Sequence, residues 1–392
     1  MRTLLAVFAK EVLDNVRDRR TLISALVMGP MFGPALFAFV INLSIERSLS
    51  DINEKLDLAV IGANHAPNLV RYLGSRNVNV VDGPADREAA ITAVKAGDFD
   101  VVVIIPADFG SQLAAGIPAR IEVVSDQANT QAERDARRAR GALAAYGQEL
   151  AAVRLAARGI SPQVVQALNV DDVDVSTPSG RSALLLGMMS YFFIFALLMG
   201  GMYLAIDTTA GERERGSLEP LLALPVTRDQ LMLGKIAATC SFMALSLLLS
   251  LGAFYVALGF MPFEQLGMTP NFGPDVVAMA FLLLLPFILL GAAIMTLVAS
   301  FTKSYKEAQT WLSIVLVAPT LPILIVSILT LRPQLAFMFV PSLSQHLLLV
   351  DMIKNEPLEP LHVAISAGST LAAGLLLTWI CARLYRREGL LG

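Results

Sequence analysis

Residues 276–301 read VVAMAFLLLLPFILLGAAIMTLVASF, a stretch without Asp, Glu, Lys or Arg. A helix needs roughly 20 apolar residues to cross a bilayer core of about 30 Å, so this stretch alone is long enough to span a membrane. A buried helix of a soluble protein rarely stays uncharged for so long. Five further runs share the character, at about 21–43, 183–206, 236–260, 311–331 and 361–381. The chain of 392 residues therefore reads as an α-helical polytopic membrane protein with six transmembrane helices. Only 16% of its residues are charged, against about a quarter in soluble domains, which excludes a purely cytosolic enzyme. A net charge of -3 offers nothing to nucleic acid. The two cysteines, Cys240 and Cys381, lie inside apolar runs, which excludes a disulfide framework and a cysteine-rich metal site.

Working outward, residues 1–20 precede the first run. Leu5, Phe8, Val12 and Val16 recur at helical spacing, so the segment is expected to form an amphipathic helix on the cytoplasmic membrane surface. The run that follows is too long for a cleavable signal and fits a retained anchor. Orientation follows from basic residues near the spans. The N-terminus, the segments 207–235 and 302–310 and the C-terminus carry 14 Lys and Arg residues. The loops 261–275 and 332–360 carry only Arg332 and Lys354. Both termini are thus expected in the cytoplasm, and residues 44–182 outside.

That outside segment reads as an inserted α/β domain. Apolar bursts at 56–61, 78–81, 99–105 and 120–124 alternate with helical stretches at 66–74, 85–96 and 107–115, and a long Ala/Arg/Glu-rich helix covers 127–158. Residues 169–176 are read as a possible edge strand. Asp98 and Asp100 read as solvated loop carboxylates. Arg134, Arg137, Arg138 and Arg140 sit with Glu133 and Asp135 on one salt-bridged helix face. His65 is the domain's only histidine and has no partners for a metal site.

The most informative stretch lies between the second and third runs: DTTAGERERGSLEPLLALP, residues 207–225. Gly216 is a natural helix stop, Ser217 can cap a new short helix with Pro220 in its first turn, and Pro225 ends it. Thr227 and Gln230 have the spacing of a capping box that opens the next helix, with Gly234 and Lys235 leading into the third run. The short helix is Leu-rich although it faces the cytosol, which suits partner docking. Gly211 and Gly216 have the glycine spacing of a phosphate-binding loop. Ser217 stands where that loop needs Lys, and an apolar run, not a strand, precedes it, so no nucleotide site is expected here.

The string Gly211-Glu-Arg-Glu-Arg-Gly-Ser-Leu-Glu219, followed by Leu221, Leu222, Pro225, Gly234 and Lys235, resembles the signature of type-2 ABC exporter permeases, and the chain is most similar to the NatB-like sodium-efflux group. The segment from Phe339 through His346 to Asp351 resembles the half-membrane outside helices that precede the last span in that fold. The resemblance covers essentially the whole chain. It implies a permease subunit in the bacterial cytoplasmic (inner) membrane, with no ATPase site and no cofactor of its own. ATP and Mg would sit on a separate, NatA-like ATP-binding subunit, and a second permease copy would complete a homodimer in membrane lipid. The coupling contact would be made by Glu212, Arg213, Glu214, Gly216, Leu218, Glu219, Leu221, Leu222 and Pro225, with Glu212, Arg213, Glu214 and Glu219 as its polar rim. Lys303 and Lys306 would make a second contact. The resemblance also places the second and fifth spans along the transport path. There Met188, Tyr191, Phe192, Phe195 and Met199 would face Ser313, Pro319, Thr320 and Pro322.

The residues leave the substrate open. Sodium is what the resemblance suggests, but a bare cation needs carboxylates or unwound carbonyls in its path, and none of the six runs contains Asp or Glu. The aromatic, Met-rich second run suits an amphipathic drug, lipid or peptide. The uncharged spans argue against a secondary transporter. A membrane sensor with an outside ligand-binding domain would not need five further spans. His65, His346 and His362 are too scattered for a membrane enzyme.

Overall fold

The computed structural model describes residues 2–53, 55–165, 177–217, 220–221, 225–263, 268–329 and 334–385. Backbone polar groups in lipid must be satisfied within the chain, which makes a helix the natural conformation of each uncharged run. Six described helices are long and apolar enough to cross a membrane: Thr21–Leu43, Met189–Glu214, Arg228–Gly259, Pro274–Phe301, Tyr305–Val326 and Pro360–Tyr385, the first to sixth spans. The helix α1 (Arg2–Arg17) precedes them.

The helices do not end where the apolar runs end. The second span starts at Met189, after a separate helix that opens at Pro178, and continues past Ile206 to Glu214. The third begins at Arg228 rather than 236, and the fifth at Tyr305 rather than 311. Hydropathy marks where a helix is dehydrated, whereas caps decide where it starts. Thr227 accepts from the Gln230 backbone N–H at 3.4 Å, and Ser304 accepts from that of Glu307 at 3.2 Å. The expected capping box at Thr227 is half-formed, because the Gln230 side-chain oxygen accepts instead from the Thr3 hydroxyl at 2.9 Å.

The helix α1 is partly seated on the spans themselves. Phe8 and Val12 are half-buried against protein. They pack on a cluster of Ala25, Leu204, Ala238 and Phe242 drawn from the first three spans. Leu5 and Val16 of the same strip, and Leu13 on its flank, remain exposed. The helix thus carries one apolar strip, one edge of which packs on protein while the other is left to the surroundings.

Spans approach closely where glycine faces a neighbour. A Cβ on Gly374 of the sixth span would lie 3.0 Å from the Leu290 backbone nitrogen and 3.2 Å from its Cα, and backbone cannot yield as a side chain can. Toward the other end, the short helix Leu343–Ile353 is tied by uncharged polar side chains. Ser190 Oγ lies 2.6 Å from His346 Nδ1, the Gln345 amide donates to Thr370 Oγ1 at 2.9 Å, and Ser366 donates to Ser344 at 2.8 Å.

Residues 46–174 form a second unit, separate from the unit of residues 1–45 and 175–392 that holds the spans. Its four strands are β1 (Leu56–Ile61), β2 (Val78–Asp82), β3 (Val101–Ile104) and β4 (Glu122–Ser125), in sheet order β2-β1-β3-β4. β1 runs parallel to β2 and β3, whereas β4 is antiparallel to β3. Strand side chains alternate, so Leu58, Val60, Val101 and Val103 fill one face with Leu69, Leu73 and Ala136, while Ala59 and Val102 meet Ala90 and Val94 on the other. Asp98 and Asp100 are exposed, and Arg137 and Arg140 pair with Glu133. The possible edge strand at 169–176 lies outside the described residues.

Replacing Gly374 by Leu is expected to cost about 1–3 kcal/mol through overpacking. Gly368→Ala on the same helix, where the site is open, is expected to change little. Thermal midpoints of the two purified variants check this.

Candidate functional site

The second span does not run straight to its end. Residues Asp207–Gly211 form a π-helical turn before the last helical turn, Glu212–Glu214. A π turn shifts the hydrogen-bond ladder and releases carbonyls from it. The Thr208 carbonyl accepts from Lys235 Nζ at 2.5 Å. Lys235 belongs to the third span and is completely buried. Its ammonium also donates to Glu212 Oε2 and lies 4.0 Å from Glu11 Oε1 of α1. Lys10 closes the group, with Nζ 3.2 Å from Glu11 and 3.5 Å from Glu212. Three chain segments distant in sequence thus share one buried cluster of charges.

The electrostatics of α1 follow from this packing. Burial pushes the Glu11 carboxyl above its ordinary range; Lys235 opposes the shift and Glu212 adds to it. Burial pulls the Lys10 ammonium down, but Glu11, Glu212 and Asp14 together outweigh it and hold the group above its ordinary value.

The next residues tie the helix ends together. The Arg213 guanidinium donates to the Thr302 carbonyl at 2.7 Å and the Ser300 carbonyl at 3.1 Å, capping the fourth span. Glu214 accepts from the Tyr305 N–H at 2.6 Å, at the first turn of the fifth span. Arg215 returns to Asp207 at 2.8 Å. The span then stops in a Schellman motif: the Gly216 N–H donates to the Arg213 carbonyl and that of Ser217 to the Glu212 carbonyl, both at 3.0 Å, with Gly216 at φ 67°. A residue with a Cβ is strained there.

These contacts revise the expected polar rim. Glu212 is 5% exposed and faces Lys235, so it belongs to the interior and offers no docking surface. Arg213 and Glu214 are occupied in holding the turn between the fourth and fifth spans. Lys303 and Lys306 are exposed, as is Pro225, and Leu221 is half-buried. Leu218, Glu219 and Leu222 lie outside the described residues. Sequence reasoning missed Lys10, Glu11 and Thr208 as members of the site and took Lys235 for a junction residue. One signal was available: Lys235 shares helical spacing with Leu231, Ala238, Thr239 and Phe242, so a charge falls on a buried stripe.

The expected path residues separate. Phe192 turns toward the first and third spans, its ring 5.9 Å from that of Phe254 and its Cβ 2.7 Å from where a Cβ on Gly33 would stand. The Tyr191 ring lies 6.0 Å from that of His346. Met188 is exposed and Phe195 half-buried. Ser313 and Thr320 spend their hydroxyl protons on their own helix, on the Gln309 and Val317 carbonyls at 2.8 and 2.6 Å. Phe192 therefore does not face the fifth span. Among the described residues, no three His, Cys, Asp or Glu side chains converge to hold a metal ion.

A chain of uncharged spans with a knot of charges at one end has the layout of a transporter's membrane subunit. The sequence profile of the ABC-2 family transporter protein family matches residues 19–383, and the chain belongs to that family. It is also similar to the ABC transporter permease protein NatB of Bacillus subtilis (strain 168), with 25% identity over 382 residues and 96% of each chain covered. Permease subunits of this class lack an ATPase site, and the family implies an ATP-binding partner subunit.

Removing one partner of a buried ion pair costs about 3–5 kcal/mol, whereas replacing both by apolar residues of similar size is far milder. Lys235→Met and Glu212→Leu are therefore expected to destabilise the permease strongly one at a time and to recover much of the loss together, as a double-mutant cycle on thermal midpoints reports. Glu11 gives a pH signature. Its folded-state pKa is raised, so the cost of ionising it is present above that pKa and is relieved as pH falls through it. Glu11→Gln is expected to flatten this part of the pH dependence of the midpoint, measured from pH 8 to pH 4.

Proposed function

We propose that this chain is the membrane-spanning permease subunit of an ATP-driven exporter in the bacterial cytoplasmic membrane. It works as a homodimer above two NatA-like ATP-binding subunits. Both termini and the charge cluster lie on the cytoplasmic side, and the α/β unit lies outside. The basic residues support that orientation, with 14 Lys and Arg on one side against Arg332 and Lys354 in the two short loops on the other.

The observation that carries the reading is the Glu212–Lys235 pair. These residues flank the junction between the second and third spans, so the junction is pinned at its base. ATP-driven closure of the partner subunits presses on the Leu-rich segment 217–224. With the base pinned, the push moves the second span, third span and α1 as one body instead of bending the junction. Arg213 and Glu214 carry it on to the fourth and fifth spans. Rocking of such bodies opens a path outward. Lys303 and Lys306, both exposed near this turn, provide the second contact.

The substrate class that the residues favour is an amphipathic organic molecule. Two carboxylates at the end of the second span are engaged by cations of the same chain, Asp207 by Arg215 and Glu212 by Lys235 and Lys10, and Glu214 accepts from the Tyr305 N–H. Sodium efflux, which the NatB resemblance suggests, would need ligands that the uncharged spans do not supply.

Leu222→Asp and Glu219→Arg are each expected to abolish transport while dimer and ATPase association persist. Full transport by both variants would overturn the docking assignment. In proteoliposomes of the reconstituted complex, amphiphiles are expected to stimulate ATP hydrolysis. ATP-dependent sodium flux without such stimulation would establish sodium as the substrate instead.

A further inference from the structure

The sixth span carries a feature that the coupling reading leaves unused. Leu371, Leu375, Trp379 and Arg383 recur every four residues and so share one face of that helix. The first three are 43%, 56% and 54% exposed. Beside Trp379 the surface is concave. A groove of about 420 Å³ runs between Leu375, Thr378, Trp379, Ala382 and Arg383 of the sixth span and Asp229 and Leu233 of the third. At its end the Arg383 guanidinium lies over the Trp379 ring, 4.7 Å from the centroid.

We propose that this groove is a binding site for an anionic glycerophospholipid of the adjacent leaflet. An apolar stripe alone is what any lipid-facing helix shows. Here the stripe ends in a concave wall and a fixed cation. With the guanidinium over the indole, a cation–π contact, its N–H groups can meet phosphate oxygens in the forked way that lysine cannot. Tryptophan and arginine at the end of a span place the site at headgroup depth. The charge balance fits an anion. Arg228, whose guanidinium donates to the Tyr385 carbonyl at 3.3 Å, belongs to the same helix end, and Arg386 and Arg387 follow in sequence. Asp229, in the first turn of the third span, is one carboxylate against them. Basic pockets between transmembrane helices select anionic headgroups, at about fivefold in affinity for each basic residue engaged. Leu375, Leu233 and Ala382 then provide the wall along which an acyl chain lies.

The chain has two tryptophans, so Trp311→Phe leaves Trp379 as the only one. That variant of the full permease is reconstituted with dibrominated phosphatidylglycerol or dibrominated phosphatidylcholine, whose bromines quench a neighbouring indole. Phosphatidylglycerol is expected to quench with about fivefold higher apparent affinity. Adding Arg383→Gln is expected to bring the two lipids level while quenching by phosphatidylcholine stays unchanged, which shows that the helix still lies in the bilayer. Equal quenching in the parent would mean ordinary boundary lipid and overturn the proposal. So would quenching by neither lipid, which would mean that protein covers the groove, or a preference that survives Arg383→Gln.

Discussion

An ammonium group with no exposure to solvent constrains everything around it. Moving such an ion out of water costs several kcal/mol even after relaxation, unless acceptors surround it. Lys235 finds them on two other segments. The second span supplies Glu212 and, by breaking its ladder in a π turn, the Thr208 carbonyl. The helix α1 supplies Glu11, and it reaches the site because Gly234 has no side chain: a Cβ there would stand 2.7 Å from Val7 Cγ1. None of these elements can move alone without leaving a charge unpaired in a dry place.

The same cluster explains where charges are tolerated in a chain otherwise built from uncharged runs. At the ends of the spans each charge has a local task. Arg213 satisfies the final carbonyls of one helix, Glu214 the first N–H of another, and Arg215 folds back on Asp207. These are the groups that a helix terminus leaves without partners. Their satisfaction by side chains from a neighbouring span turns loose helix ends into a rigid base. A rigid base suits a device in which force enters through a short segment and leaves through tilting helices.

Much of this was legible in the sequence. Short apolar bursts between helical stretches placed the strands, and alternation then sets Leu58 and Val60 opposite to Ala59. Gly216 announced the end of the second span, because a left-handed residue closes a Schellman motif most cheaply when it is glycine. The errors share one cause. Glu212 and Phe192 were assigned to surfaces from residue type alone, the first as a rim charge and the second as a path aromatic. A glutamate on an extended helical turn faces a partner or a neighbouring helix depending on what lies 23 residues further on, and here that is Lys235. For α1, periodicity shows that a strip is apolar, but not that protein covers part of it at Phe8 and Val12.

The sequence by itself determined that there are six long apolar runs, that these runs carry no charge, and where the charged junction lies. Those properties follow from local physics: the length of apolar helix that a bilayer demands and the cost of ions within it. Only the tertiary structure decided which charges serve the interior, because pairing is a matter of distance and not of composition. Lys10, Glu11, Glu212 and Lys235 are ordinary surface residue types scattered over more than half the chain. The packing of three helices puts each lysine within 4 Å of both glutamates, and the burial of Lys235, Glu11 and Glu212 makes that proximity matter.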